Sequence, residues 1–303
     1  MDQYFIVIAL IMGFGWGGFY ISGPIALSNN LNEKNRAVYF SYLAAWNAMG
    51  SGLSPIVFNW LSSMNLSTHT LFKTSIIPCI LAMCCFLYAK RYDNALPIVN
   101  KKREKLSTVI FNREFFRSKA IYPIVMVLIG ACLFSSMMNF QVSYAKINHL
   151  NYSWYFFFYT LVVIVSRFTL SKAIAKISHA IILPSLVFIM IAAMIIFMFI
   201  GYGLVIYIIS AILFGLSYGL IYPLIKAIAV NVISNKLHDV SLTYFTLSYF
   251  IGVYVFPFIN GFMLTYTSYH FVIYMLIFVA ILYQITVFLF LKSTNRSHEF
   301  EAM

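Results

Sequence analysis

Tyr218, Tyr222 and Lys226 recur at intervals of four inside an apolar run that extends from about residue 204 to 230. Residues four apart share one helix face, so this spacing stacks two hydroxyls and a cation in a row. Polar groups at such depth cost free energy unless they are partnered or face a cavity. Their chemistry is recognition of a polar solute rather than bond breaking. Further polar residues within apolar runs are Asn47, Ser135, Ser136, Asn139, Gln141, Tyr244, Ser248 and Asn260. The expected lining of a substrate pathway is Tyr218, Tyr222, Lys226, Asn139, Gln141, Asn47, Tyr244 and Ser248. Three alternatives stand beside it. Lys226, near one end of its run, can snorkel to the interface. The tyrosines can face lipid, and Asn139 with Gln141 can join helices by hydrogen bonds.

No Asp or Glu falls within an apolar run: Glu33 and Asp239 lie in turns, and Asp2 precedes the first run. The six histidines, His69, His149, His179, His238, His270 and His298, are scattered at run ends and loops. They form no pair at metal-ligand spacing. Cys79, Cys84, Cys85 and Cys132 all sit in apolar runs, where they read as small packing residues. Neither a catalytic constellation nor a metal or cofactor site emerges, so the chain does not read as an enzyme.

With 62% hydrophobic residues, 9% charged and a mean hydropathy of +0.88, too little polar sequence remains to cover one soluble core. The chain reads as an all-α membrane protein. Runs long enough to span a bilayer are approximately 4–28, 37–61, 70–89, 120–145, 152–172, 180–200, 204–230, 240–264 and 269–291, about nine transmembrane helices. Starting outside and alternating, eighteen Lys and Arg collect on the inner side, Lys226 among them although it falls within a span and counts for neither side, while only Lys73 and Lys146 fall outside. That asymmetry places the carboxy terminus in the cytoplasm. It also accounts for the net charge of +12 without a nucleic-acid partner, since no recognition fold or aromatic interleaving accompanies the basic stretch. Met1 to Ala9 carries Asp2 where a signal peptide would be basic, so no cleavable signal is expected.

Residues 13–55 and 215–257 align without a gap at an offset of 202. Gly13, Gly17, Tyr20, Asn29, Lys34, Val38, Tyr42, Gly50 and Pro55 meet Gly215, Gly219, Tyr222, Asn231, Lys236, Val240, Tyr244, Gly252 and Pro257. A repeat of this length corresponds to roughly six spans with their loops. Two full copies need about 400 residues by the same measure, and 303 are present. Gly13 with Gly17, and Gly215 with Gly219, lie four apart and prepare a groove for close helix packing.

The stretch Gly13-Phe-Gly-Trp-Gly-Gly-Phe-Tyr-Ile-Ser-Gly-Pro24, the turn Asn29 to Arg36, and the helix ending Gly50-Ser-Gly-Leu-Ser-Pro55 together resemble the fourth and fifth helices of the major facilitator superfamily. Phe214 to Pro223, the turn around Asn235, and then Gly252, Pro257 and Gly261 resemble its tenth and eleventh helices. The resemblance implies a truncated major facilitator fold, helices four to twelve of twelve. Residues 1–90 would be a three-helix remnant of the amino-terminal bundle, 91–119 a basic cytoplasmic linker, 120–292 the six-helix carboxy-terminal bundle, and 293–303 a cytoplasmic tail. In the linker, Lys101 to Lys105 could also contact anionic lipid headgroups. Ser166-Arg167-Phe168 stands where the family carries an arginine-bearing turn, but the aspartate expected there is absent. Gly13, Gly17, Gly50, Pro55, Arg167, Gly215, Gly219, Gly252 and Pro257 are the residues expected in helix packing and conformational change.

The function implied is secondary active transport of a small organic solute by alternating access, of efflux type, in a bacterial inner or plasma membrane. The expected partners are membrane lipid, the solute and a coupling ion. A proton-coupled exporter of this family often uses a carboxylate in its first or fourth helix. Either that carrier precedes Met1 or the chain does not couple to protons in that way. The alternative function is an incomplete, non-transporting fragment or a membrane interaction partner.

Overall fold

The computed structural model describes residues 2–29, 31–64, 70, 73, 76–93 and 113–301. Among these, the long regular elements are helices: α1 (Asp2–Asn29), α2 (Glu33–Ser63), α3 (Ile76–Asp93), α5 (Ile121–Ile147), α6 (Ser153–Thr169), α8 (His179–Phe197), α9 (Leu204–Asn231), α10 (His238–Tyr266) and α11 (Tyr269–Glu301). Two short helices, α4 (Arg113–Arg117) and α7 (Ser171–Ile174), lie between them, with 3-10 turns at Ile200–Tyr202 and Asn235–Leu237. Each of the nine apolar runs therefore contains a long helix. Six segments, Ile6–Asn29, Ile121–Ile147, His179–Phe197, Leu204–Asn231, Asn235–Tyr266 and Tyr269–Thr294, are long and apolar enough to cross a membrane; Ile76–Cys85 and Ser153–Thr169 are apolar but shorter. α2 has the length, but Ser41, Asn47 and Ser51 make it more polar. The expected tail, 293–303, continues α11 as far as Glu301. Lys101 to Lys105 lie outside the described residues, as does the side chain of Pro55.

The helix ends follow from local chemistry. α5 stops where His149 takes a left-handed φ of 54° and the Leu150 amide reaches back to the Ala145 carbonyl at 2.9 Å; this six-to-one bond satisfies a carbonyl the helix would leave bare. Ser178 caps α8 by accepting from the Ala180 amide at 3.3 Å, supplying a partner for an orphan donor of the first turn. Gly203 precedes α9 with φ 129°, a conformation that a side chain would resist.

The chain divides into two compact units, residues 1–48 with 113–303, and residues 49–112. The second holds the end of α2 and all of α3. In the first, α9 is the central element: every residue from Ser217 to Val230 is buried, which an apolar helix achieves only when neighbours surround it. Around it pack α5, α6, α8 and α10, with α11 beyond α5 and α8, and α1 against α10. Small residues set the tightest crossings. A Cβ on Gly215 would stand 2.9 Å from the Tyr159 carbonyl of α6, and one on Gly252 of α10 would stand 2.7 Å from Leu128 O and Ala131 Cβ of α5. Hydroxyls then join the helices, with Ser210 donating to Ala193 O at 2.9 Å and Ser135 to Gly252 O at 3.2 Å. The outward faces carry large apolar side chains such as Phe188, Tyr254 and Phe258, each more than two-thirds exposed, a surface suited to lipid rather than water.

Candidate functional site

Lys226 sits about one and a half turns before the end of α9 and is only 4% exposed. It does not snorkel. Its Nζ lies 5.6 Å from the ring centroids of Tyr20, Tyr222 and Phe245 and 5.9 Å from that of Phe40. Each such contact is worth about 0.5 to 2 kcal/mol, more as the site is desolvated. Two of the rings, Tyr20 and Phe40, come from the first repeat copy, and two, Tyr222 and Phe245, from the second. Tyr20 and Tyr222 are themselves repeat equivalents, so the duplication delivers the same tyrosine to Lys226 from both sides. Phe40 continues the contact between copies by packing with Ala227, Val230 and Leu242, against which Ile25, Leu27 and Ala37 also rest.

The surroundings of Lys226 are aromatic. Phe134 stacks on Tyr218 at 4.6 Å, Tyr218 neighbours Tyr222 at 6.2 Å, Tyr222 neighbours Tyr249 at 5.3 Å, and Tyr249 stacks on Tyr20 at 5.6 Å. Tyr218, Tyr222 and Lys226 therefore share one face, as their spacing requires. The Tyr218 hydroxyl is buried and has no hydrogen-bond partner.

Arg167 of α6 holds two other helices. Its Nε donates to Gly219 O and its Nη1 to Ala44 O, each at 2.7 Å, while Ser41 Oγ donates to the Arg167 carbonyl at 3.2 Å. The bond to Gly219 has a cause in the sequence. Pro223, four residues on, lacks the N–H that would take that carbonyl in a regular helix, and the guanidinium supplies the missing donor. Closer to the end of α9, Arg36 Nη1 donates to Asn231 Oδ1 at 2.7 Å and Asn231 Nδ2 donates to Glu33 O at 3.4 Å. A cation at a helix carboxy-terminal end is also favoured by the helix dipole.

Asn139, Gln141 and Tyr244 find their partners elsewhere. Asn139 is exposed and donates to Ser135 O of its own helix at 2.7 Å. Gln141 is buried and accepts from the Tyr207 hydroxyl, more than two turns from Tyr218 along α9, so it joins α5 to α9. Tyr244 stacks on Phe115 at 4.8 Å and meets Phe116 at 5.3 Å. Asn47 and Ser248 are half-buried. The ring that does face Lys226 belongs to Phe245, one residue after Tyr244, a turn of about 100° around the helix. Phe40 and Tyr249 were likewise missing from the sequence-based lining. Tyr20 was missing too, entering the sequence reading only as the repeat equivalent of Tyr222. Gly13, Gly17 and Gly50 have no atom within 4 Å of a built Cβ, so the close packing expected of them is not made by the described residues; Gly215, Gly219 and Gly252 do make theirs.

A multi-span helical bundle in which a repeated pair of helices meets around a buried lysine is consistent with the architecture of a membrane carrier. Residues 2–252 match the pattern of the Major Facilitator Superfamily, and the chain belongs to that superfamily. It is a multi-pass integral membrane protein of a family whose work is transmembrane transport and not enzymatic catalysis. No curated protein compared with it matches.

Proposed function

We propose that this chain carries a small organic solute across the membrane by alternating access, as a secondary active exporter, with the Lys226 chamber as the solute pathway. The observation that carries the reading is a buried lysine enclosed by rings from both repeat copies. A charge at that depth is expensive, and its position between duplicated helix pairs is where carriers of this architecture place their solute. Tyr218, Tyr222 and Lys226 line the pathway, Tyr20, Phe40, Phe245 and Tyr249 complete it, and Arg167 holds α2, α6 and α9 in register around it.

Cysteine accessibility tests this assignment. In a background lacking Cys79, Cys84, Cys85 and Cys132, single cysteines at positions 20, 218, 222 and 226 are exposed to a membrane-impermeant thiol reagent from each side. Labelling from one side that falls when the other side becomes accessible is the expected result. Protection of all four positions from both sides rejects the pathway. Labelling that never changes sides favours the non-transporting alternative.

A further inference from the structure

Resting on that pathway, we infer that Lys226 binds the negatively charged head of the solute, which makes the solute an amphipathic organic anion. The argument begins with unbalanced charge. Lys226 and Arg167 are both buried, and among the described residues neither is paired with a carboxylate. Arg167 spends its donors on the carbonyls of Gly219 and Ala44, which solvate a guanidinium without neutralising it. Lys226 has rings for neighbours, and rings supply a quadrupole but no charge. Arg36, the third buried cation, differs because Glu33 acts on it electrostatically.

A buried, unpaired ammonium is costly, and the cost falls steeply once an anion enters beside it. Among the described residues Asp239, in the first turn of α10, is the one carboxylate within a candidate span, and it does not pair with Lys226, so the anion comes with the solute. The rest of the surroundings sets the body of the solute. The rings of Phe134, Tyr218, Tyr222, Tyr249 and Tyr20 form one continuous run of contacts, an aromatic surrounding whose chemistry suits a flat, apolar group. The unpartnered Tyr218 hydroxyl adds one hydrogen bond at the end of the run away from Lys226. A cationic or metal-ion solute is disfavoured by the same charges.

Two xanthene dyes of similar shape and opposite charge, fluorescein (anionic) and rhodamine 123 (cationic), serve as probes for the purified full chain. Binding is read by fluorescence anisotropy in detergent, and transport by flux in phosphatidylcholine proteoliposomes under gradients of either direction. Fluorescein is expected to bind and to cross, rhodamine 123 is not. Lys226→Met is expected to weaken fluorescein binding at least tenfold, while Lys226→Arg stays within about threefold, since a tenfold change is about 1.4 kcal/mol of lost pairing. Fluorescein bound through Lys226 but never carried would leave the anion site standing and sink the transport reading. Transport of rhodamine 123 without fluorescein would do the reverse. Absence of fluorescein binding, or binding indifferent to Lys226→Met, overturns the anion site. Displacement of fluorescein by phosphatidylglycerol at equal concentration, with phosphatidylcholine inert, assigns the site to a lipid headgroup and overturns the solute version.

Discussion

At the scale of single residues, two buried cations are held by opposite means, and the difference makes separate predictions. Arg167 answers a defect that Pro223 creates, because the Gly219 carbonyl has lost its helical donor. Removing the guanidinium leaves that carbonyl bare in apolar surroundings, so Arg167→Ala is expected to lower stability by about 2 to 3 kcal/mol, read as a fall in the thermal midpoint in detergent. Pro223→Ala restores an N–H to the same carbonyl. The double variant is therefore expected to recover part of the loss, and a Pro223→Ala effect equal in both backgrounds would show that the two residues are not coupled. Lys226 has no such defect to repair. Exchanging it for a methionine of similar length removes an unpaired buried charge and keeps the ring contacts, so Lys226→Met is expected to raise the midpoint by about 1 kcal/mol or more of stability. A loss of that size would mean that the four ring contacts outweigh the burial cost.

At the scale of helices, glycine spacing and glycine contact prove to be different things. A Cβ on Gly252 meets backbone and another Cβ at 2.7 Å, one on Gly215 meets the Tyr159 carbonyl at 2.9 Å, and one on Gly219 meets Val163 at 3.3 Å. Alanine substitutions are expected to destabilise in that order, by about 1 to 3 kcal/mol for the first two, since backbone at the contact cannot swing aside. Gly13→Ala and Gly17→Ala, with no atom within 4 Å, are expected to be neutral or to gain up to about 1 kcal/mol from helix propensity. A loss at Gly13 matching that at Gly252 would defeat this reading. Sequence alone ranked these glycines together, because a spacing of four marks a possible groove and says nothing of which helix fills it. The same limit explains Tyr244: periodicity placed polar residues inside α10, yet the helix rotation that turns Phe245 rather than Tyr244 toward Lys226 is set by packing against α4 and α5. What was legible were the long helices, the repeat, and the shared face of Tyr218, Tyr222 and Lys226. These depend on composition and local period, which the chain carries residue by residue. Gln141 lay beyond that reach because its partner, Tyr207, is 66 residues away.

At the scale of the molecule, the two repeat copies meet at the Asn231 end of α9. Arg36 donates a hydrogen bond to Asn231 there, and Phe40 packs with Ala227, Val230 and Leu242 between it and Lys226. In the alternating-access reading proposed above, and on the orientation that the basic residues predict, this is the cytoplasmic end, and opening it would admit the cytoplasm to Lys226. A hydrogen bond from a charged donor contributes about 1.5 to 3 kcal/mol, enough to hold such a gate closed, and its loss shifts the balance by roughly tenfold for each 1.4 kcal/mol. Asn231→Ala removes the acceptor and leaves Lys226 and its rings in place. The expected outcome is a rise of at least several-fold in the rate at which a cysteine at position 20 is labelled from the cytoplasmic side, with labelling from the other side falling in step. Because both rates derive from one equilibrium, a rise on both sides at once would mean that the variant loosened the bundle rather than opened a gate. No change on either side would mean that Arg36 and Asn231 do not close the pathway.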